Sequence, residues 1–276
     1  MKSSFFTLQN SIESIAIGKF DGLHVAHSAL LHRLCDRGAL VVIENGPSLL
    51  TPKNYREKIS PFPIYYYSLE EIRSLEGGEF LELLKKDFLA LKKIVVGYDF
   101  MFGRDRSFCA WDVQELFDGE CEVVPEVRVD GISVHSGVIK ELIKHGNVAK
   151  ANRLLGREYE IEGRRKKGQG IGREQLYATI NIDVEDFLIP EEGVYATKTS
   201  VGCDKYKSVS FVGHRVSTDR SFSIETHILG EFIDSNSESV KIEFINKIRE
   251  NRRFADLNEL KKQIESDIEQ AKKILE

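Results

Sequence analysis

The spacing of apolar residues changes character once, near residue 153, and that change divides the chain into two kinds of fold. Before it, short apolar runs at Ile12–Ile17, Ala39–Ile43 and Ile94–Val96 alternate with helical spacings near Leu23–Cys35 and across Phe80, Leu83, Leu84 and Phe88. Alternation of this kind predicts βαβ units around a mostly parallel sheet, with ligands gathered at the carboxyl ends of the strands. After it, Tyr159–Glu162, Thr179–Ile182, Val194–Lys198, Lys207–Val212, Ser223–Ile228 and Val240–Phe244 read as short strands separated by polar or glycine-bearing turns. Strands without long intervening helices favour an antiparallel barrel, which leaves no exposed sheet edge. The expected domains are therefore 1–153 and 154–276.

One helical pattern closes the first half and another ends the chain. Ile139, Leu142, Ile143, Val148, Ala151, Leu154 and Leu155 predict a helix from Val138 to Leu155, broken into two pieces at Gly146-Asn147. At the end of the chain Leu257, Leu260, Ile264, Ile268, Ala271 and Leu275 share one helical face, and Asp256 and Glu259 have capping-box spacing. That helix is expected to lie against the barrel. Between Glu44 and Ser68, four prolines and four tyrosines follow no clean period, so this segment reads as a long loop or small insertion covering the sheet.

Composition excludes several classes. With 276 residues and 41% hydrophobic residues the chain can build substantial cores without disulfide staples, and Cys35, Cys109, Cys121 and Cys203 never form C-x-x-C, so reduced thiols are expected. A formal net charge of −5 argues against a general nucleic-acid binder. No apolar run approaches the roughly 20 residues of a membrane span, and residues 1–10 lack a secretory layout, so the expected place is the cytoplasm, with no membrane partner. Oligomeric state is not written in these features.

The chemistry begins after the first strand. In G-K-F-D-G-L-H-V-A-H, residues 18–27, glycines permit a tight turn and His24 and His27 are three apart at a helix start. Such a helix end offers unpaired N–H groups to phosphate, and imidazoles placed there would stabilise charge on a departing pyrophosphate. Taken alone, the pair equally suits one packed and one solvated histidine. The second run, V-V-G-Y-D-F-M-F-G-R-D-R over residues 95–106, ends a strand with a polar and aromatic turn. Asp99, Phe100 and Phe102 there suit a pocket for a planar ring, with Arg104 or Arg106 near phosphate; a surface turn stabilised by Asp99 is the simpler alternative.

These runs resemble the N-terminal adenylyltransferase module of the bacterial bifunctional riboflavin kinase/FMN adenylyltransferase family. Gly18, Phe20, Asp21, Gly22, His24 and His27 match its G-x-F-D-G-x-H-x-G-H, with Ala26 in place of the last glycine. Gly97, Asp99, Phe100, Phe102, Gly103 and Arg106 match V-V-G-x-D-F-x-F-G-x-x-R. The phosphate element S-S-T-x-I-R is altered to H-S-G-V-I-K over residues 135–140: Ser136 and Ile139 remain, while Lys140 supplies charge without the planar fork of arginine.

The second half carries the family's other motifs in order. G-R-R-K-K-G-Q-G-I-G-R, residues 163–173, holds five basic side chains and four glycines. Alone it suits phosphate, RNA or a solvated hairpin; the resemblance implies that Gly170, Gly172 and Arg173 belong to an ATP-binding loop. L-Y-A-T-I-N, residues 176–181, resembles G-x-P-T-A-N and keeps Thr179 and Asn181, which strand alternation places on one face as oxygen ligands for Mg2+. Glu225 in S-I-E-T-H resembles the V-E-T-H glutamate and is the expected base. Arg249 is a candidate for the flavin side of that pocket.

The resemblance spans almost the whole chain. It implies a Rossmann-like α/β nucleotidyltransferase domain followed by an antiparallel β-barrel riboflavin kinase domain with a C-terminal helix. Riboflavin would be phosphorylated by Mg2+-ATP to FMN, and FMN would be adenylylated by ATP to FAD. Two alternatives stand beside it: a riboflavin kinase whose first module is weak or inactive, and a flavin- or RNA-binding regulator.

Overall fold

The computed structural model describes residues 9–52, 54–166, 177–215, 221–233 and 235–276. The chain divides into two compact units between Ser136 and Gly137.

In the first unit the strands are β1 (Ser14–Gly18), β2 (Gly38–Glu44), β3 (Ile64–Ser68), β4 (Lys93–Gly97), β5 (Met101–Phe102), β6 (Phe108–Cys109), β7 (Glu120–Val124), β8 (Arg128–Val129) and β9 (Ile132–Ser133). Five of them form a parallel sheet in the order β3-β2-β1-β4-β7, while β5/β6 and β8/β9 are small antiparallel pairs. Alternation along the central strand feeds two cores. Ile15 and Ile17 pack with Phe80, Leu81 and Leu84 of helix Gly77–Asp87, and Ala16 packs with Leu30 and Leu31 of helix Val25–Leu31 on the other face. From β1 the chain goes first to β2 and β3 on one side and then to β4 and β7 on the other, so the order reverses between β1 and β4. A parallel sheet opens a crevice at such a point.

Two strands of this sheet differ from the sequence reading. The segment between Glu44 and Ser68, expected to be a long loop or small insertion, contains the short helix Tyr55–Ile59 and ends in β3, an edge strand. Its three consecutive tyrosines hide the alternation that the strand itself has: Tyr65 and Tyr67 turn to the core, Tyr65 meeting Phe88 edge-on at 5.0 Å and Tyr67 donating to Asp87 at 2.6 Å, while Tyr66 between them is exposed. At the opposite edge, Glu120 and Glu122 interrupt the apolar pattern of β7, yet both pair with Lys93 of β4, at 2.9 and 2.8 Å.

The second unit contains β10 (Tyr159–Lys166), β11 (Ile180–Asp183), β12 (Gly193–Val201), β13 (Asp204–His214), β14 (Phe222–Ile228) and β15 (Ser239–Glu250). They close into an antiparallel barrel in the order β10-β11-β14-β13-β12-β15. Tyr159, Ile161, Tyr195, Ile224, Val240, Ile242 and Phe244 are buried. With them lie five buried hydroxyls that form a closed ring: Ser210 to Thr226 (3.0 Å), Thr226 to Thr199 (2.8 Å), Thr199 to Ser208 (2.8 Å), Ser208 to Thr197 (2.8 Å) and Thr197 back to Ser210 (2.7 Å). Each hydroxyl has one proton to donate, so the ring satisfies all five without water.

The expected break at Gly146-Asn147 separates helices Ser136–Lys144 and Val148–Leu155. The second ends at Gly156 in the left-handed region (φ 74°), and Asn152 ties it to the barrel, donating to the Phe244 carbonyl and accepting from the Tyr159 amide, both at 2.8 Å. Helix Leu257–Leu275 lies on the barrel as expected: Ile268, Ala271 and Leu275 pack on Val194, Ala196 and Val209. Asp256 caps its start, accepting from the amides of Asn258 and Glu259 at 2.8 and 2.9 Å, while Glu259 reaches back to the Ala255 amide at 3.0 Å.

Candidate active sites

At the carboxyl ends of β1, β4 and β7 the first unit holds a cavity of about 440 Å³. Gly18, Phe20, His24 and His27 line it from the turn after β1. Asp99, Phe100, Phe102 and Arg106 line it from the segment after β4, and Ser136 from the start of helix Ser136–Lys144. Residues far apart in sequence thus converge where the topology places a ligand.

The turn after β1 is unusual backbone. Gly22 has φ +95°, and the non-glycine residues Phe20 and Leu23 also lie at positive φ, +50° and +40°. Such conformations persist only where surrounding structure fixes them. Asp21 does this here. Buried, it accepts from the amides of Leu50 and Thr51 at 3.0 and 3.2 Å, and the Thr51 hydroxyl in turn accepts from the Gly22 amide at 3.0 Å. Asp21 and Gly22 therefore stand behind the cavity wall and shape it, rather than lining it.

His24 caps helix Val25–Leu31, its Nδ1 accepting the His27 amide at 3.4 Å, and the two imidazoles stack with centroids 3.6 Å apart. His24 is almost wholly buried and His27 leans on Phe20 at 4.9 Å. The Ala26 methyl group also lines the cavity. Across from them Phe100 and Phe102 stack 5.4 Å apart, Phe102 reaching into the core beneath the sheet. Asp99 and Arg106 are exposed. His135 stands 2.9 Å from the Ser133 hydroxyl and 3.7 Å from the Asp99 carboxylate. Glu126, on the same wall, is held below the usual carboxylate range first by a hydrogen bond from Ser133 and then by Arg128. Lys140 lies one turn beyond Ser136 on its helix, half-buried and in the second unit. Arg73 and Asn45 also line the cavity. No motif marks either: Asn45 directly follows β2, and Arg73 ends the short helix Leu69–Ile72 after β3.

In the second unit, Thr179, Asn181 and Glu225 meet on the outer face of the barrel. Asn181 and Glu225 are register partners on β11 and β14. Glu225 Oε2 accepts from the Thr179 hydroxyl at 3.1 Å and Oε1 from the Ser223 hydroxyl at 3.0 Å. A residue absent from the sequence reading completes the cluster: Arg215 donates through Nε to Glu225 Oε1 at 2.6 Å and through Nη2 to Asn181 Oδ1 at 2.7 Å. Its position two residues beyond Gly213, with the outward phase of Phe211, was the available signal. His227, the next outward residue on β14, bonds through Nδ1 to the Ala178 carbonyl at 2.9 Å and meets the Tyr177 ring edge-on at 5.1 Å.

The oxygens here have the chemistry of a hard-cation site. The Thr179 hydroxyl directs its proton to Glu225 and keeps its lone pairs, and Asn181 Oδ1 uses one of two lone pairs on Arg215. Arg249 lies elsewhere on the barrel, its guanidinium held bidentately by the buried Asp267 of the last helix at 2.8–3.0 Å, with one face toward Phe254 at 5.5 Å. Gly170, Gly172 and Arg173 lie outside the described residues. None of the four cysteines is bonded to another.

A parallel sheet with a cavity at its strand ends, followed by a closed barrel bearing a carboxylate, hydroxyl and amide on one face, has the makeup of a two-module transferase. Comparison with known proteins agrees. The riboflavin kinase (flavokinase) family model matches residues 155–275. Bifunctional riboflavin kinase/FMN adenylyltransferases of Pseudomonas fluorescens and Bacillus subtilis are 28% and 26% identical, covering 93% of this chain in each case and 91% and 90% of their own lengths. A crystallised Streptococcus pneumoniae chain described as a macrolide-efflux protein superposes with a TM-score of 0.83 at 25% identity, over 95% of this chain and 94% of its own. Over nearly its whole length the chain is thus similar to bifunctional riboflavin kinase/FMN adenylyltransferases, and its second half matches the riboflavin kinase family.

Proposed function

We propose that the chain phosphorylates riboflavin to FMN on the barrel and adenylylates FMN to FAD at the parallel sheet, each step consuming ATP, with activities divided as 1–153 and 154–276. The observation that carries the reading is the convergence of Thr179, Asn181 and Glu225 within the stretch matched by the riboflavin kinase model. In the kinase step Glu225 takes the proton of the ribityl 5′-hydroxyl as its oxygen bonds to the γ-phosphorus of ATP and ADP leaves. Thr179 Oγ1 and Asn181 Oδ1 are the oxygens that would hold Mg2+, which when bound offsets phosphate charge. Gly170, Gly172 and Arg173 contribute the phosphate loop, while Arg249, committed to Asp267 of the last helix, has no place beside Glu225.

At the sheet, an FMN phosphate oxygen attacks the α-phosphorus of ATP and pyrophosphate departs. His24 and His27 stabilise the charge that develops, Ser136 and Arg106 bind phosphate, and Asp99, Phe100 and Phe102 border the planar ring. Gly18 and Phe20, supported by Asp21 and Gly22, shape the floor. The Ala26 methyl group in the cavity favours a second reading, in which this module is slow and the chain acts chiefly as a kinase. Among the described residues no helix is long and apolar enough to cross a membrane, so the efflux description of the Streptococcus chain is not carried over. Both reactions consume ATP, and we place them in the cytoplasm.

One experiment separates these readings. Purified chain is incubated with riboflavin, Mg2+ and ATP, and riboflavin, FMN and FAD are resolved over time. Sequential FMN and FAD support the two-step reading, FMN alone supports the kinase reading, and neither product overturns both.

A further inference from the structure

We propose that Arg215 is the positioning residue of the kinase site, a single guanidinium that fixes both the Glu225 carboxylate and the Asn181 amide. The inference rests on the reading of Glu225 as base and Asn181 as a metal-site oxygen.

Arg215 directly follows β13, and its amide donates to the Ser221 carbonyl at 3.0 Å, so the β13–β14 pairing continues one step past His214 and Phe222. Phe211, four residues earlier, is the register partner of Glu225, which puts Arg215 on the outward face with it. From there the side chain crosses β14 to reach β11. Its Nε–H and Nη2–H point to two acceptors on two different strands, Glu225 and Asn181, at 2.6 and 2.7 Å. The Arg215 and Glu225 side chains keep only 19% and 20% of their exposure, so the pair is shielded enough for geometry to be held.

Each contact settles an orientation that the chemistry needs. An asparagine amide turned by half a revolution presents N–H instead of oxygen, and a cation accepts only the oxygen. A donor on Oδ1 selects the useful rotamer, and Arg215 is that donor. At Glu225, Arg215 and Ser223 both bond Oε1, while Thr179 is on Oε2. The carboxylate plane is thereby fixed with its two oxygens in different roles. A lysine offers one nitrogen on a flexible stem and cannot hold both groups in this way. A latch that blocks the site is the opposite possibility, but one lone pair of Asn181 Oδ1 suffices for Arg215 and the other remains.

The test uses the full chain and the variants Arg215→Gln and Arg215→Lys, with riboflavin phosphorylation kinetics and calorimetric titration of Mg2+-ADP. Arg215→Gln is expected to lower kcat about 30-fold or more, to change KM for riboflavin by less than about threefold, and to weaken Mg2+-ADP binding about tenfold. Arg215→Lys should recover only a minor part of either loss, and it carries the test if the glutamine variant does not fold by circular dichroism. In a Glu225→Gln background, Arg215→Gln should add less than about threefold to the loss in kcat, because its partner is already impaired. Unchanged kcat and binding in the Gln or Lys variant, tighter Mg2+-ADP binding, or fully additive losses would each overturn the assignment. Absence of any FMN from the unaltered chain would instead overturn the kinase reading on which it rests, before a variant is compared.

Discussion

The Thr179 hydroxyl donates to Oε2 of Glu225 at 3.1 Å, joining the residue just before β11 to the middle of β14. Glu225→Gln keeps the shape of that contact but removes the base. Riboflavin phosphorylation is expected to fall about 100-fold or more with an unchanged melting temperature to within a few degrees. Thr179→Ala should act differently, raising the Mg2+-ATP concentration needed for half-maximal rate. Steady-state kinetics over a matrix of Mg2+ and ATP concentrations distinguish them, and a folded Glu225→Gln with normal turnover would remove glutamate from the mechanism.

The stacked imidazoles of His24 and His27 belong to the first unit, and the Glu225 cluster to the second. A His24→Ala/His27→Ala double variant should therefore form FAD from supplied FMN about 100-fold more slowly while still converting riboflavin to FMN at close to the normal rate. Chromatographic assay of the two half-reactions, each with its own substrate supplied, checks this. Equal loss of both would point to unfolding instead of chemistry, and FAD formation at the normal rate would exclude the pair from catalysis.

What the sequence made legible follows from how directly each pattern reports its environment. The barrel strands and the final helix were readable because their alternation or helical period is written in side chains that meet a single core, as with Ile268, Ala271 and Leu275. β3 was not, since tyrosine is at home on either face of an edge strand, and β7 was disguised by Glu120 and Glu122, whose partner Lys93 lies 27 and 29 residues away. The interior hydroxyls were harder still. Thr197, Thr199, Ser208 and Ser210 have the polarity of outward positions, and only strand register reveals that they face one another. At the sites, motif order located His24, Asp99, Thr179 and Glu225, whereas Arg215 has no motif in the sequence reading and is identified by two hydrogen bonds.

Lys93 and Arg33 give the first unit a pH-dependent contact. Glu122 accepts from Lys93 at 2.8 Å and from Arg33 at 2.6 Å, and these hydrogen bonds, Lys93 foremost, hold its carboxyl below the usual glutamate value despite opposing desolvation. A depressed folded value means that the contribution is full above the ordinary range, about 4.3, and is lost as pH falls through that range toward the folded value. The side chain is 36% exposed, so solvent screening limits the effect to about 1 kcal/mol or less. Glu122→Gln should thus melt slightly lower than the unaltered chain at pH 7, and the difference should close as pH is lowered from about 5 to 3. Thermal denaturation across that range is the measurement, and a gap that widens on acidification would contradict the sign.

The ring of Thr197, Ser208, Thr199, Thr226 and Ser210 offers a last prediction, one that separates stability from catalysis within a single strand. Thr226 lies between Glu225 and His227 on β14 but faces the opposite way, fully buried, where it bonds Thr199 at 2.8 Å and Ser210 at 3.0 Å. Thr226→Val preserves β-branching and nearly the same volume, so the strand and its packing have no steric reason to change. It removes one hydroxyl from a closed cycle and leaves its wholly buried neighbours Thr199 and Ser210 beside a methyl group. The expected cost is about 1–3 kcal/mol, read as a lower midpoint in urea with an unchanged slope. Because the Glu225 side of the strand is untouched, kcat for riboflavin phosphorylation should stay within about twofold at temperatures well below the transition. Thr226→Ser, which keeps the hydroxyl and loses the methyl group, should recover part of the loss; if it is less stable than the valine variant, packing rather than the hydrogen-bonded cycle holds this interior together.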